Sequence, residues 1–174
     1  MGLIQVNHKA ACCATLKTRT TTLKEHTMYK RILVATDGSK LSKMAVEHAI
    51  NLADLTGAEV VALKVIPRYP QTYFEGGVAL AAAEIARIEA QWNEEALAVV
   101  NAVKSAGQLR EVKVKPVTVK SDLIAEAIIA AAKRNKCDLI VMASHGRRGL
   151  KRLLLGSETQ QVLTHSHTPV LVLR

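Results

Sequence analysis

From Tyr29 onward the apolar positions fall into two alternating patterns. Short apolar runs are each followed by a longer segment in which apolar residues recur three or four apart, the spacing of one helical face. The runs predict five strands, at 31–36, 60–66, 112–119, 137–143 and 169–173. The spaced segments predict helices after Ser39, over 78–106, after Ser121 and over 157–164.

Local signals punctuate this reading. Asp37-Gly38 closes the first strand and Ser39 can cap the helix behind it. Gly57 suits that helix's C-cap, and Gly107 is expected to end the long helix. Ser121 can cap the third helix, and S-E-T-Q at 157–160 matches a capping box with Ser157 as N-cap. The expected buried faces are Ala45, Ile50, Leu52 and Ala53, then Ile85, Ile88, Trp92, Ala96, Val99 and Val103. In the third helix they are Leu123, Ile124, Ala127, Ile128 and Ala131.

The third strand alternates and contains Pro116, which marks a sheet edge. The fourth is continuously apolar, as in a strand covered on both faces. Strands alternating with helices predict an α/β fold, a single-domain doubly wound parallel sheet of five strands with helices on both faces.

Composition refines this picture. Of 174 residues 49% are hydrophobic but only 3% aromatic, so aliphatic side chains and alanine must fill the core. Residues 1–27 are Thr-rich, poor in acids and without periodicity. They are expected to be a disordered N-terminal extension, with Met28 a candidate natural start of the domain at 28–174. Cys12, Cys13 and Cys137 make no disulfide framework, which fits a reducing, cytoplasmic compartment, and Cys137 reads as a buried small hydrophobe. No apolar run reaches membrane-spanning length, so no membrane partner is expected. The net charge of +9 favours anionic partners, although a solvated basic surface is the default reading.

In a doubly wound sheet, ligands sit outside the carboxyl ends of the strands where strand order reverses. Two strand ends carry suitable residues: Thr36-Asp37-Gly38-Ser39, and the loop from Ala143 to Ser157. Asp37 could accept hydrogen bonds from ribose hydroxyls. Gly146 and Gly149 permit close backbone approach, and Gly156-Ser157 opens a helix whose N-terminal amides favour an anion. Arg147, Arg148, Lys151 and Arg152 add positive charge, and His145 could contact a phosphate or be a plain loop histidine. The spacing is neither a Walker A loop nor a dinucleotide fingerprint. No nucleophile has a positioned partner, so the chain is not expected to be an enzyme. His165 and His167 lack further ligands for a metal, and His48 reads as a surface residue. The basic loop lacks interleaved aromatics, so nucleic acid is an improbable partner.

T-D-G-S after the first strand, V-M-A-S-H-G-R-R-G-L after the fourth, then L-L-G-S-E-T and a terminal P-V-L-V together resemble the universal stress protein family. The resemblance covers residues 29–174. It implies a sheet of order 3-2-1-4-5, adenine nucleotide alpha-hydrolase-like, binding ATP (or AMP or ADP) with Mg accompanying ATP. By the resemblance, Asp37 touches the ribose, the Val65 backbone reads adenine, and Ala35 and Thr36 line the floor. Residues around Gly146 (Ala143, His145, Arg147, Arg148 and Gly149), with Gly156, Ser157 and Glu158, hold the phosphates. It also implies a stress-response regulator with no or very slow hydrolysis, acting as a homodimer through the strand at 168–173 and on unknown protein partners.

The family's nucleotide-binding branch has Gly, two residues, Gly, nine residues, Gly and then Ser or Thr. This chain has Ala143 at the first position. If that position needed a left-handed backbone, alanine would cost roughly 1–2 kcal/mol, about tenfold in affinity. The alternative is a stress adaptor of the same fold that binds no nucleotide and works through protein contacts.

Overall fold

The computed structural model describes residues 28–68, 82–146 and 155–174. The predicted extension at 1–27 and the start of the predicted long helix at 78–81 lie outside the described residues, as does most of the loop at 67–77. The chain runs β1 (Arg31–Ala35), α1 (Lys40–Thr56), β2 (Glu59–Ile66), α2 (Ala82–Gln108), β3 (Val114–Lys120), α3 (Ile124–Arg134), β4 (Leu139–Ala143), α4 (Ser157–His165) and β5 (Val170–Leu173).

All strand pairs are parallel, in the order β3-β2-β1-β4-β5. β1 therefore lies between β2 and β4, with Leu33 paired to both Val61 and Ile140. Alternate residues of the central strands feed two cores. Ile32, Val34, Val60, Ala62 and Val141 pack under α1 and α2 with Ala49, Ala53 and Val100. Leu33, Val61, Leu63, Ile140 and Met142 pack under α3 and α4 with Ile128, Ala131 and Val162. The small side chains on the helices let them lie close to a sheet built of branched residues, so few aromatics are needed.

Ser39 caps α1 as its sequence suggests: its hydroxyl accepts the Ser42 N–H at 3.2 Å. Gly57 ends the same helix at φ 68°. At the amino ends of the strands, Asp138 accepts the N–H groups of Lys30 (2.7 Å) and Arg31 (3.1 Å), which ties β4 to β1. Glu59 bridges Lys113 and Arg31 there, and these cations, Lys113 foremost, hold its carboxyl below the usual range.

Four local expectations need correction. Gly107 does not end α2; it is buried inside the helix, where a Cβ would collide with Val114 of β3. The glycine serves close packing rather than a left-handed turn. The buried stripe of α2 is Ala96, Val100, Val103 and Gly107, whereas Ile85, Ile88, Trp92 and Val99 are only half-buried. The reason is length: Glu89 already pairs with Lys120, the last residue of β3, so the first turns of the helix run past the end of the sheet. In α3 the inward residues are Ala125, Ala127, Ile128, Ala131 and Ala132, and Leu123 and Ile124 are 60% and 36% exposed. Ser121 does not cap α3. Its hydroxyl accepts the Leu123 N–H at 3.1 Å, before the helix begins.

Candidate functional site

At the carboxyl end of β1 the Thr36 N–H donates to Leu63 C=O at 2.9 Å, extending the ladder one residue beyond the strand. The buried Thr36 hydroxyl accepts the Gly38 N–H at 3.2 Å and pairs with the buried Ser42 hydroxyl at 3.1 Å. Asp37 Oδ1 accepts the Ser39 N–H at 2.9 Å, and Gly38 takes φ 83°, a conformation that glycine adopts without steric cost. Lys64, in β2, donates from Nζ to Asp37 C=O at 2.9 Å. This turn is fastened on every side, which fixes where Asp37 stands.

Because β4 is β1's neighbour, the glycine segment that follows β4 meets this turn. A Cβ built on Gly146 would lie 3.0 Å from Asp37 Oδ2. Gly146 is therefore needed for close approach, not for a left-handed backbone. The segment is pinned at both ends. Ser144 N–H donates to Leu173 C=O of β5 at 2.7 Å, and Gly156 N–H donates to Ser144 C=O at 2.8 Å. Thr159 Oγ1 donates to Ala143 C=O at 3.1 Å, and a Cβ on Gly156 would meet Ser144 C=O at 3.3 Å and His145 Cα at 3.4 Å. The start and finish of the loop are held together, with β5 attached to the same point.

Ala143 is a regular residue of β4. Among the described residues only Glu111 and Lys136 are non-glycine residues with positive φ. The left-handed backbone cost considered for Ala143 does not arise, and its methyl is buried.

Gly156, rather than Ser157, is the N-cap of α4. Ser157 is the first helical residue, so the capping box does not form. Gly156 takes the cap because its N–H is already committed to Ser144 and its missing side chain admits that contact. No side chain caps this helix, so the amides of its first turn lack the partner a capping side chain would give them. The Glu158 carboxylate points away from its own helix and accepts the Ala125 N–H of α3 at 3.1 Å. α3 has no side-chain cap of its own, so Glu158 supplies one from a neighbouring helix.

Val65 lies on β2 past the end of β1. The Leu63 main chain faces β1, since Thr36 donates to it; alternation then turns Lys64 towards β3 and Val65 towards β1's side again. The Val65 amide and carbonyl thus face the space beyond Thr36. Ala35 is half-buried beside them. His145 is half-buried, and its Nδ1 meets the buried Ser144 hydroxyl at 3.1 Å. Arg147, Arg148, Gly149, Lys151 and Arg152 lie outside the described residues.

The structure thus gathers Thr36, Asp37, Val65, Ala143, His145, Gly146, Gly156 and Ser157 around the ends of β1, β2 and β4. Sequence reasoning missed Ser42, Lys64, Ser144 and Thr159, which brace these residues. Lys64 had one visible signal, a lone charge inside the run V-V-A-L-K-V-I. Cys137 sits at the opposite end of the sheet, where burial pushes its thiol up to about 11. Among the described residues no three His, Cys, Asp or Glu side chains group as metal ligands.

The sequence and fold both have relatives. A family model described as the universal stress protein family matches residues 28–174. Universal stress protein MJ0531 of Methanocaldococcus jannaschii is 37% identical over 147 residues, covering 84% of this chain and 83% of the relative. The solved structure of MJ0577 from the same organism superposes with a TM-score of 0.70 at 32% identity, covering 84% of this chain and 96% of that one. A universal stress protein in complex with cAMP shares the fold at a TM-score of 0.62 and 24% identity, over 84% of this chain and 97% of that one. The chain belongs to the universal stress protein family.

Proposed function

We propose that the crevice between β1 and β4 binds an adenine nucleotide, ATP foremost, and that occupancy is what the protein reports to its partners. The observation that carries this reading is the meeting of Gly146 with Asp37 Oδ2, at 3.0 Å from where a Cβ would be. It puts a carboxylate acceptor and a glycine segment on one crevice, beside the α4 N-terminus, which lacks a side-chain cap. In this reading Asp37 takes the ribose hydroxyls. The Val65 amide and carbonyl face the base, while Gly146, Gly156 and the first-turn amides of α4 receive the phosphates. Ala35 and Thr36 form the floor and His145 faces the phosphates; Arg147, Arg148 and Gly149, outside the described residues, are assigned to the phosphates by the resemblance alone. Glu158 contributes its amide, because its carboxylate serves α3. That the same fold holds cAMP in a neighbour supports an adenine nucleotide as the class of ligand.

Hydrolysis is absent or very slow in this reading. The Ser144 hydroxyl, which pairs with the His145 ring, is buried rather than offered to a ligand. The protein acts as a cytoplasmic homodimer through 168–173, where β5 is a sheet edge with Leu171 39% exposed. Equilibrium dialysis of labelled ATP against nucleotide-free protein tests the reading, with Gly156→Val as control. Saturable binding that the variant loses supports it. Equal retention by wild type and variant, or none by either, refutes it and leaves the adaptor role.

A further inference from the structure

The crevice occupies the carboxyl ends of the strands, and the amino ends carry a different surface. α1, α2 and α3 run against the strands, so their last turns gather at this end with the strand entries. β1 enters with Lys30 and Arg31, and β3 with Lys113 and Lys115. Arg110 follows α2, and Lys133, Arg134 and Lys136 close α3. The acids at this end are Asp54, Glu59, Glu111 and Asp138. Eight cations less four acids give +4, whereas all described residues together carry 16 Lys/Arg and 13 Asp/Glu, or +3. The rest of the described protein is therefore at −1, so among the described residues the positive charge is concentrated here. Two of the four acids are already engaged: Glu59 with Arg31 and Lys113, and Asp138 with the amides of Lys30 and Arg31.

Two leucines project from the same surface. Leu55, in the last turn of α1, is 85% exposed, and Leu109, just past α2, is 88% exposed. Arg110, next to Leu109, hydrogen-bonds Asn51, one turn before Leu55 on α1. Lys113 and Glu59, four residues beyond Leu109 and Leu55 respectively, pair with each other and link the same two segments. A scattered exposed leucine needs no explanation. Two of them at the same end of the sheet, on segments that also carry its cations, form the pattern of a surface that dips apolar tips into a bilayer interface while its charges meet anionic headgroups.

We propose that this amino-terminal end of the sheet docks on an anionic lipid surface, with Leu55 and Leu109 entering the headgroup boundary. Nucleic acid would use the same cations but leave both leucines in water, and among the described residues no exposed aromatic stands by to stack on a base. The sequence argued against a membrane partner because no run is long enough to span one. Among the described residues no helix is long and apolar enough to cross. Docking needs no such run, and its residues come from separate segments that only the fold brings together. Docked this way, the crevice faces away from the lipid.

Flotation of the full chain with vesicles tests the proposal, comparing pure phosphatidylcholine with phosphatidylcholine containing phosphatidylserine. Binding is expected on the anionic vesicles only, weakening as salt rises. Leu55→Ser with Leu109→Ser should lower it several-fold. Lys30→Gln with Lys133→Gln and Arg134→Gln should lower it at least tenfold, since each cation near an anionic membrane is worth about fivefold. These positions are exposed, and unchanged melting of each variant confirms that the fold is kept. Absence of binding overturns the proposal, as does equal binding to neutral vesicles. So does a leucine variant that binds like wild type, or duplex DNA held tightly regardless of the leucines.

Discussion

Gly146 stands so close to Asp37 that one added carbon would sit 3.0 Å from the carboxylate oxygen Oδ2. Gly146 is solvent-exposed, so enlarging it should crowd the crevice without disturbing the core. Gly146→Val is expected to lower ATP affinity at least tenfold while changing stability by less than about 1 kcal/mol, as for an ordinary surface substitution. Fluorescent-nucleotide titration and thermal melting read the two effects separately.

Asp37 has two duties, and two substitutions part them. Oδ1 holds the Ser39 amide, and the ribose role is assigned to the carboxylate as a whole. Asp37→Asn keeps an acceptor for Ser39 and loses the charge; Asp37→Ala loses both. Nucleotide affinity should fall about tenfold in the first variant, by the worth of a charge-assisted hydrogen bond. Only the second should also lose about 1 kcal/mol of stability, measured by urea unfolding.

Ala143 departs from the family's glycine without backbone strain, because it sits in β4 away from the left-handed region. Ala143→Gly should therefore leave ATP affinity within about threefold. It should also destabilise the strand by roughly 0.5–1 kcal/mol, the cost of glycine's extra freedom when unfolded. A tenfold gain in affinity would show that the methyl, rather than the backbone, obstructs the ligand.

Glu158 caps α3 from α4. Glu158→Ala is expected to cost about 1 kcal/mol in urea unfolding, as for other lost caps, and Glu158→Gln less, since an amide oxygen still accepts the Ala125 N–H. Equal losses in both variants would mean that the charge, through α3's dipole, matters more than the hydrogen bond.

The Cys137 thiol is raised to about 11 by burial, against a usual value near 9. Below pH 8 it is neutral in folded and unfolded chains alike and contributes no pH dependence. Between about 9 and 11 the unfolded chain gives up its proton and the folded one does not, so stability falls as pH rises through this window. A shift of that size corresponds to a loss of order 2 kcal/mol by pH 11. Cys137→Ala should flatten the decline by that amount. In a Cys12→Ser, Cys13→Ser background, the native thiol should react with iodoacetamide far more slowly than the unfolded one.

The strand count and the parallel, helix-covered sheet could be read along the chain, because period and punctuation are carried by a single sequence. The strand order, and with it the meeting of β1's end with the glycine segment, came only from the resemblance to the family, since crossover handedness restricts the possible orders without choosing one. What could not be read depends on contacts between segments. Gly107 looked like a helix stop because only the fold shows Val114 pressed against it. S-E-T-Q looked like a capping box because nothing local shows Gly156 held by Ser144, or Glu158 drawn to Ala125. Leu123 and Ile124 fit the apolar spacing of α3, yet the helix starts only at Ile124 and its alanines turn inward instead. The Ala143 question was geometric from the outset, and a backbone angle answered it.

Calorimetric titration of ATP into nucleotide-free wild-type protein addresses the crevice most directly. A saturable signal at one site per chain with a micromolar Kd, competed by AMP and abolished in Gly156→Val, is the predicted result. A titration with no heat beyond dilution at millimolar ATP, or one unchanged by Gly156→Val, would contradict it.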